Sequence, residues 1–343
     1  MTPEIGIESL TLVFYLIVII AAAEIFTNAI ETLGSKLKFS EGVTGSIFAA
    51  VGTALPETMV PLVAIFAGNS AKVSEEVGVG AILGAPFMLS TLAMCLMGAA
   101  AWRWRGRRGE NHVAPERSGF RRDLEFFLFA FTLAFLVAFT PRHWRTFRIF
   151  VAILLALTYF YYVLETIRAS SALVKDGHGA EGGKTLYLSY IFKDHMFFVA
   201  AQAVFALALI VVGAKGFVHG VETLARVIGI PVMALSLLIV PIATELPEKV
   251  NSIIWIRGGK DTMAAGNLTG AMVFQGSLLP AIGIFLTPWT INLTVMASSI
   301  LTLAASAWLY YLVRTNTKLS SGCFMLNGAM YLAFLIIVIY ITF

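Results

Sequence analysis

Apolar runs about twenty residues long recur along this chain, and no water-soluble fold can bury so many. A helix needs roughly 20 apolar residues to cross the ~30 Å hydrocarbon core of a bilayer. Ten such runs can be marked off, over residues 8–33, 42–67, 77–101, 122–140, 145–168, 195–228, 231–256, 262–286, 289–313 and 322–342. Composition agrees: 58% of residues are hydrophobic, only 13% are charged, and mean hydropathy is +0.84. A soluble domain is about 25% charged. In lipid each backbone polar group must be satisfied within the segment, so the expected class is an all-α membrane protein with ten transmembrane helices. The first run follows Met-Thr-Pro-Glu, has no basic stretch before it and is longer than a signal-peptide core, so it reads as a retained span.

The basic residues set the topology. Loops on the side of the N-terminus hold only Lys72, Arg142, Arg145, Arg148 and Arg226, whereas the other side holds most of the chain's 24 Lys and Arg, including Arg103, Arg105, Arg107 and Arg108. Cytoplasmic loops are the ones enriched in Lys and Arg, so both termini are expected outside, in a plasma (inner) membrane. The aromatic residues lie within apolar runs and not between basic ones, which argues against nucleic-acid binding. Cys95 and Cys323 sit in apolar stretches without zinc-site spacing.

Two stretches repeat. Residues 28–57 contain Glu31-Thr32-Leu33 and end in Leu55-Pro56-Glu57; residues 219–248 contain Glu222-Thr223-Leu224 and end in Leu246-Pro247-Glu248. The spacing from first to last Glu is 26 in both copies, without a gap. A second block follows each: Gly80 to Gly84-Ala85, and Gly266 to Gly270-Ala271. Five spans separate the copies, and an odd number inverts the second in the membrane. The expected layout is two inverted five-helix repeats, 1–168 and 195–343, joined by a cytoplasmic linker, 169–194. Such repeats are common in secondary transporters.

The duplicated Pro-Glu carries the chemistry. A mid-membrane Glu is costly unless it is paired, protonated or bound to a cation. Proline removes a backbone donor, so each helix is expected to open there and free carbonyl oxygens of the preceding turn, at Ala50 and Pro241 among others. Thr53 and Thr244 lie four residues before their Glu, on the same helical face. Carboxylates, carbonyls and hydroxyls together are an all-oxygen set suited to a hard cation. Glu57 and Glu248 are therefore the expected cation carboxylates. Glu245 has no counterpart, since Ala54 stands in its place; it is either ion-paired to Lys249 or a third ligand. The first and sixth spans share a further polar face, with Glu24, Asn28 and Glu31 in one and Lys215, His219 and Glu222 in the other. Asn267 and Gln275 can supply amide oxygens or bridge helices.

These motifs resemble the calcium/cation antiporter superfamily, which includes the sodium–calcium exchangers and carries paired G-T-S-L-P-E-like motifs. Here they stand as Gly52-Thr53-Ala54-Leu55-Pro56-Glu57 and Ala243-Thr244-Glu245-Leu246-Pro247-Glu248. The resemblance implies a sodium–calcium exchanger-like fold and central cation ligation by Glu57 and Glu248. It further implies oxygens from Thr53 and Thr244, a polar role for Gln275, and a first and sixth span that slide across the other eight. The motif serine is replaced by Ala54 and Glu245, and Ala85, Ala271, Ala81 and Leu89 replace other polar positions. Several of these help build sodium sites in the exchangers, so the coupling ion stays open between Na+ and H+.

The expected function is secondary active antiport, exporting Ca2+ or another divalent cation against Na+ or H+ by alternating access. The alternative is a monovalent Na+/H+ antiporter; a channel is less favoured. Neither His-Glu-x-x-His nor Gly-x-Ser-x-Gly occurs, so an intramembrane enzyme is not expected. The expected partners are the bilayer and inorganic cations, with no cofactor and no obligate protein partner.

Overall fold

In a computed structural model, residues 3–36, 55–67, 71–109, 111–141, 143–174, 196–290 and 292–342 are described. The described chain is helical apart from a two-residue antiparallel pairing of β1 (His112–Val113) with β2 (Leu319–Ser320). Among the described residues seven helices are long and apolar enough to cross a membrane. They are α1 (Pro3–Lys36), the stretch α3–α4 (Ala71–Met88 and Met94–Arg103), α7 (Arg145–Val174), α8 (Met196–Ile228), α11 (Asp261–Leu286), α12 (Leu293–Arg314) and α13 (Ser321–Thr342).

Of the other three expected spans, one lies partly outside the described residues and two differ for a physical reason. Of 42–67 only α2 (Leu55–Ala67) lies within the described residues. The run 122–140 falls in α6 (Arg117–Val137), which opens on Arg117, Arg121, Arg122, Asp123 and Glu125 and is apolar only in its second half. The short α5 (Arg105–Arg108) precedes it. The run 231–256 is two helices, α9 (Val232–Thr244) and α10 (Leu246–Arg257). At 1.5 Å per residue each spans only about 20 Å, too short to cross alone.

Side-chain placement is inverted relative to a soluble protein. Leu10, Phe14, Ile17, Phe205, Val212, Leu332 and Ile336 face outward, while Ser298, Thr302 and Ser306 have no exposed surface. Those three recur every fourth residue along one face of α12, and their hydroxyls donate to carbonyls of their own helix. Small polar side chains that bond back to the helix let neighbours approach closely, the packing mode of membrane helices.

The contacts divide the chain into two compact units, one of Met1–Ser74 with Val163–Ile228 and the other of Glu75–Tyr162 with Gly229–Phe343. Each takes a segment from either half of the sequence. In the first, α1 and α8 run together: Gly213 lies against Ile19, and Gly216 is covered by the Tyr15 ring. Met59 of α2 packs on Ala22, Ala23 and Ile210, which places α2 on the same pair. Gln202 of α8 donates to the Ile25 carbonyl (3.0 Å) and to Asn28 Oδ1 (2.9 Å).

In the second unit, α3 passes through five residues of π-helix, Leu89–Ala93, before continuing as α4. A π turn widens the helix and misplaces carbonyls. Here the fully buried Asn327 of α13 meets it, donating to the Ser90 carbonyl at 2.7 Å and to Ala305 of α12 at 3.3 Å. A buried carboxylate ties α6, α7 and α11: Asp123 accepts from Thr269 (2.7 Å) and from the Tyr162 hydroxyl (3.1 Å). Asp123→Ala takes an acceptor from both and opens a cavity, so it is expected to cost about 1–3 kcal/mol. Asp123→Asn keeps one acceptor and should cost less. Thermal unfolding of purified protein in detergent checks this, and equal melting temperatures for parent and Asp123→Ala would remove the tie's importance.

Candidate cation site

The second Leu-Pro-Glu is built by a helix that stops and restarts. Helix α9 ends at Glu245, whose φ of −94° and ψ of 9° leave the helical well. Helix α10 begins one residue later, with Pro247 in its opening positions, where the missing N–H costs nothing. Glu248 then falls in the first turn of α10. The unpaired N–H groups of a helix start carry partial positive charge, so a carboxylate there is favoured even away from water. Glu57 lies in α2, close to the first described residue of that helix. Both are 4% exposed.

Around the break four polar side chains are buried together. Glu245 and Gln275 are 0% exposed, and Glu248 and Lys249 nearly so. Lys249 Nζ lies 3.4 Å from Glu245 Oε2, an ion-pair distance without hydrogen-bond geometry. Glu245 also senses the charge of Glu248, and Gln275 lies against it. Neither oxygen of Glu245, nor Glu248 Oε2, nor either amide atom of Gln275 has a hydrogen-bond partner. Glu245 Oε2 is met by the Lys249 ammonium; buried polar atoms are nearly always partnered, so the remaining four without a hydrogen bond at one helix break mark a place that expects an ion or water.

The expected residues thus divide. Glu245, Glu248, Thr244, Pro241 and Gln275 all lie in the second unit, at or beside the break. Thr244 is buried and its hydroxyl donates to the Val240 carbonyl (3.1 Å), leaving the oxygen's lone pairs available. The Pro241 carbonyl differs from expectation: it accepts from the Glu245 N–H (3.1 Å) and from Lys249 Nζ (3.1 Å), so it is engaged and not open. Thr53 and Ala50 lie outside the described residues. Of the shared polar face, Asn28 and Glu222 are buried while Glu24, Lys215 and His219 are exposed, and the side chain of Glu31 lies outside the description. Asn267 serves the backbone here, donating to the Glu248 carbonyl and to Ser252 Oγ, both at 3.2 Å. Among the described residues no group of three His, Cys, Asp or Glu is placed to hold a metal ion.

Lys249 belongs to the site and was read from sequence only as a partner for Glu245. Its signal was the repeat itself: the equivalent position in the first copy is Thr58, so cation and extra carboxylate are additions confined to one copy.

The model of the sodium/calcium exchanger protein family matches residues 8–167 and 198–343. The chain belongs to that family. Its relatives with a stated activity are exchangers, which are transporters and not enzymes. The sodium/calcium exchanger MaX1 of Methanosarcina acetivorans is 23% identical over 380 aligned positions, covering 98% of this chain and all of that one. The CaxA protein of Alkalimonas amylolytica is 32% identical over 142 residues, 38% of this chain and 44% of CaxA, so that match spans under half of the relative's length. The crystal structure of the H+/Ca2+ exchanger CAX superposes with a TM-score of 0.71 at 21% identity, covering 96% of this chain and 81% of that one. That likeness establishes the exchanger fold for this member of the family.

Proposed function

We propose that this protein is a cation antiporter that exports Ca2+, or another divalent cation, in exchange for Na+ or H+ by alternating access, with Glu57 and Glu248 as the cation carboxylates. The observation that carries this reading is the duplicated Leu-Pro-Glu, whose glutamates are both buried, Glu248 in the first turn of a half-helix, in a chain that belongs to the exchanger family. Half-helix ends near mid-membrane are where secondary transporters hold ions. Thr244 and Thr53 add hydroxyl oxygens, Gln275 an amide oxygen and Ala50 a carbonyl. Glu245 and the Pro241 carbonyl lie beside Glu248 and are held by Lys249. The ten-span, two-inverted-repeat layout, a plasma (inner) membrane location and outward termini belong to the same reading, supported by the repeat and by the placement of Lys and Arg. The exchanger named for sodium and the one named for protons are both relatives. The hydroxyl positions occupied here by Ala54, Glu245, Ala85 and Ala271 favour protons as the driving ion.

Reconstitution tests it. Calcium flux into proteoliposomes is expected under an imposed proton gradient, and more weakly, or not at all, under a sodium gradient. A chain that carries sodium against protons and ignores calcium would be the monovalent antiporter instead. Step currents far above carrier turnover in planar bilayers would mark a channel.

A further inference from the structure

We infer that Lys249 is a built-in cation, whose ammonium fills a monovalent-cation position formed by the Glu245 carboxylate and the Pro241 carbonyl.

The donor set is the first ground. Nζ lies 3.1 Å from the Pro241 carbonyl oxygen and 3.4 Å from Glu245 Oε2, and the side chain is 6% exposed. A carboxylate and a carbonyl beside a helix break are the ligands that hold monovalent ions in broken-helix transporters. The ammonium therefore occupies a position with the chemistry of an ion site. A buried lysine is tolerated only when its charge is met, and one carboxylate meets one charge.

The repeat is the second ground. The first copy has Ala54 and Thr58 where the second has Glu245 and Lys249. One added negative and one added positive charge leave the formal charge of the constellation unchanged. The two appear together at a four-residue spacing, and the ammonium also reaches back eight residues to the Pro241 carbonyl. That reach follows from the break at Glu245, which brings the start of α10 beside the last turn of α9. The four polar atoms beside that ion pair without a hydrogen bond, Glu245 Oε1, Glu248 Oε2 and both amide atoms of Gln275, mark the same cluster of side chains as one shaped for ions. In this arrangement Glu245 is withheld from mobile cations and Glu248 is left to meet them. This refines the antiporter reading and rests on it for its functional meaning, but occupancy by Lys249 can be measured without transport.

The test uses the purified full chain in detergent and reads melting temperature against added Na+, with choline at equal ionic strength as the control. Lys249→Met removes the charge and keeps the bulk; it should gain a saturable Na+-specific rise on the order of a few degrees, as expected when one site fills. The gain should exceed any Na+ response of the parent, and the double variant E245Q/K249M should lose it. Lys249→Ala leaves room for an external amine and should be stabilised by methylammonium in the same way. Melting of Lys249→Met that is indifferent to Na+, or a parent that responds equally, would overturn the inference. So would variants that fold only when Glu245 is neutralised too, with no help from Na+ or methylammonium. Calcium flux by the parent is scored separately: its absence would sink the antiporter reading and leave the melting result to decide the role of Lys249.

Discussion

Calcium uptake into everted vesicles is expected to fall at least about tenfold in both Glu57→Gln and Glu248→Gln, a loss of roughly 1.4 kcal/mol or more in cation binding. Glutamine keeps the shape and the hydrogen-bonding reach of the side chain and removes only its charge. Each glutamate is 4% exposed, so water cannot replace the lost ligand. Glu248 also sits in the first turn of α10, where the helix end offers partial positive charge. Without its carboxylate that positive end faces an incoming cation uncompensated, and Glu248→Gln repels what the parent holds. Membrane insertion and melting temperature should stay close to the parent's, since burying a neutral amide costs less than burying a carboxylate. If both variants carry calcium as well as the parent, the assignment of these two residues is wrong.

A large substitution at Gly84 is expected to be nearly as damaging, through packing alone. A Cβ at Gly84 would clash with the Leu237 carbonyl oxygen and stand 2.8 Å from the Pro241 ring. The first of these is backbone and cannot rotate aside, so α9 must shift bodily away from α3. Overpacking of this kind costs about 1–3 kcal/mol, and leucine should lie at the upper end. The displaced residues include Pro241, which holds the Lys249 ammonium, so flux should fall along with melting temperature. Gly80→Ala is a milder case: its closest contact is the Ser236 hydroxyl, a side-chain end that can turn, and the nearest backbone atom, the Met233 carbonyl oxygen, stands at 3.0 Å. A series of Ala, Val and Leu at Gly84 should lose stability in order of size. Equal melting temperatures across the series would show that α3 and α9 are not held as close as described.

Much of this was legible from residue types. The run 195–228 became α8, Met196–Ile228, because nothing in it disrupts a helix, and 322–342 became α13 for the same reason. The interruption of 231–256 was foreseen from Pro247, although the helix ends two residues earlier, at Glu245, since a proline constrains the turn before it. Glu245 and Lys249 were legible as neighbours four apart on a helix. The reach of Lys249 back to Pro241 was not, because spacing rules for an intact helix do not describe a broken one. Nor was the role of Asn327 visible: its partners Ser90 and Ala305 are distant in sequence, and a π turn leaves no simple mark in residue order. The equivalence of the two repeats guided the reading well for Glu57 and Glu248. It was least informative at Glu245, Lys249 and Gln275, where the copies diverge.

The π turn at Leu89–Ala93 fixes the phase of the helix that contains it. Upstream, Gly80 and Gly84 present a narrow edge to α9; downstream, Gly98 presents one to Phe324, where a Cβ would stand 2.5 Å from the phenylalanine's own. The extra residue of the π turn sets the angle between these two edges. Returning the stretch to ordinary α-helix at the same residue count would rotate one edge about 100° away from the other, whereas deleting one residue at the same time would largely cancel that rotation. A chimera that exchanges α3–α4 with a relative will seat on both neighbours only if the π turn and its extra residue between Gly84 and Gly98 are kept together or lost together.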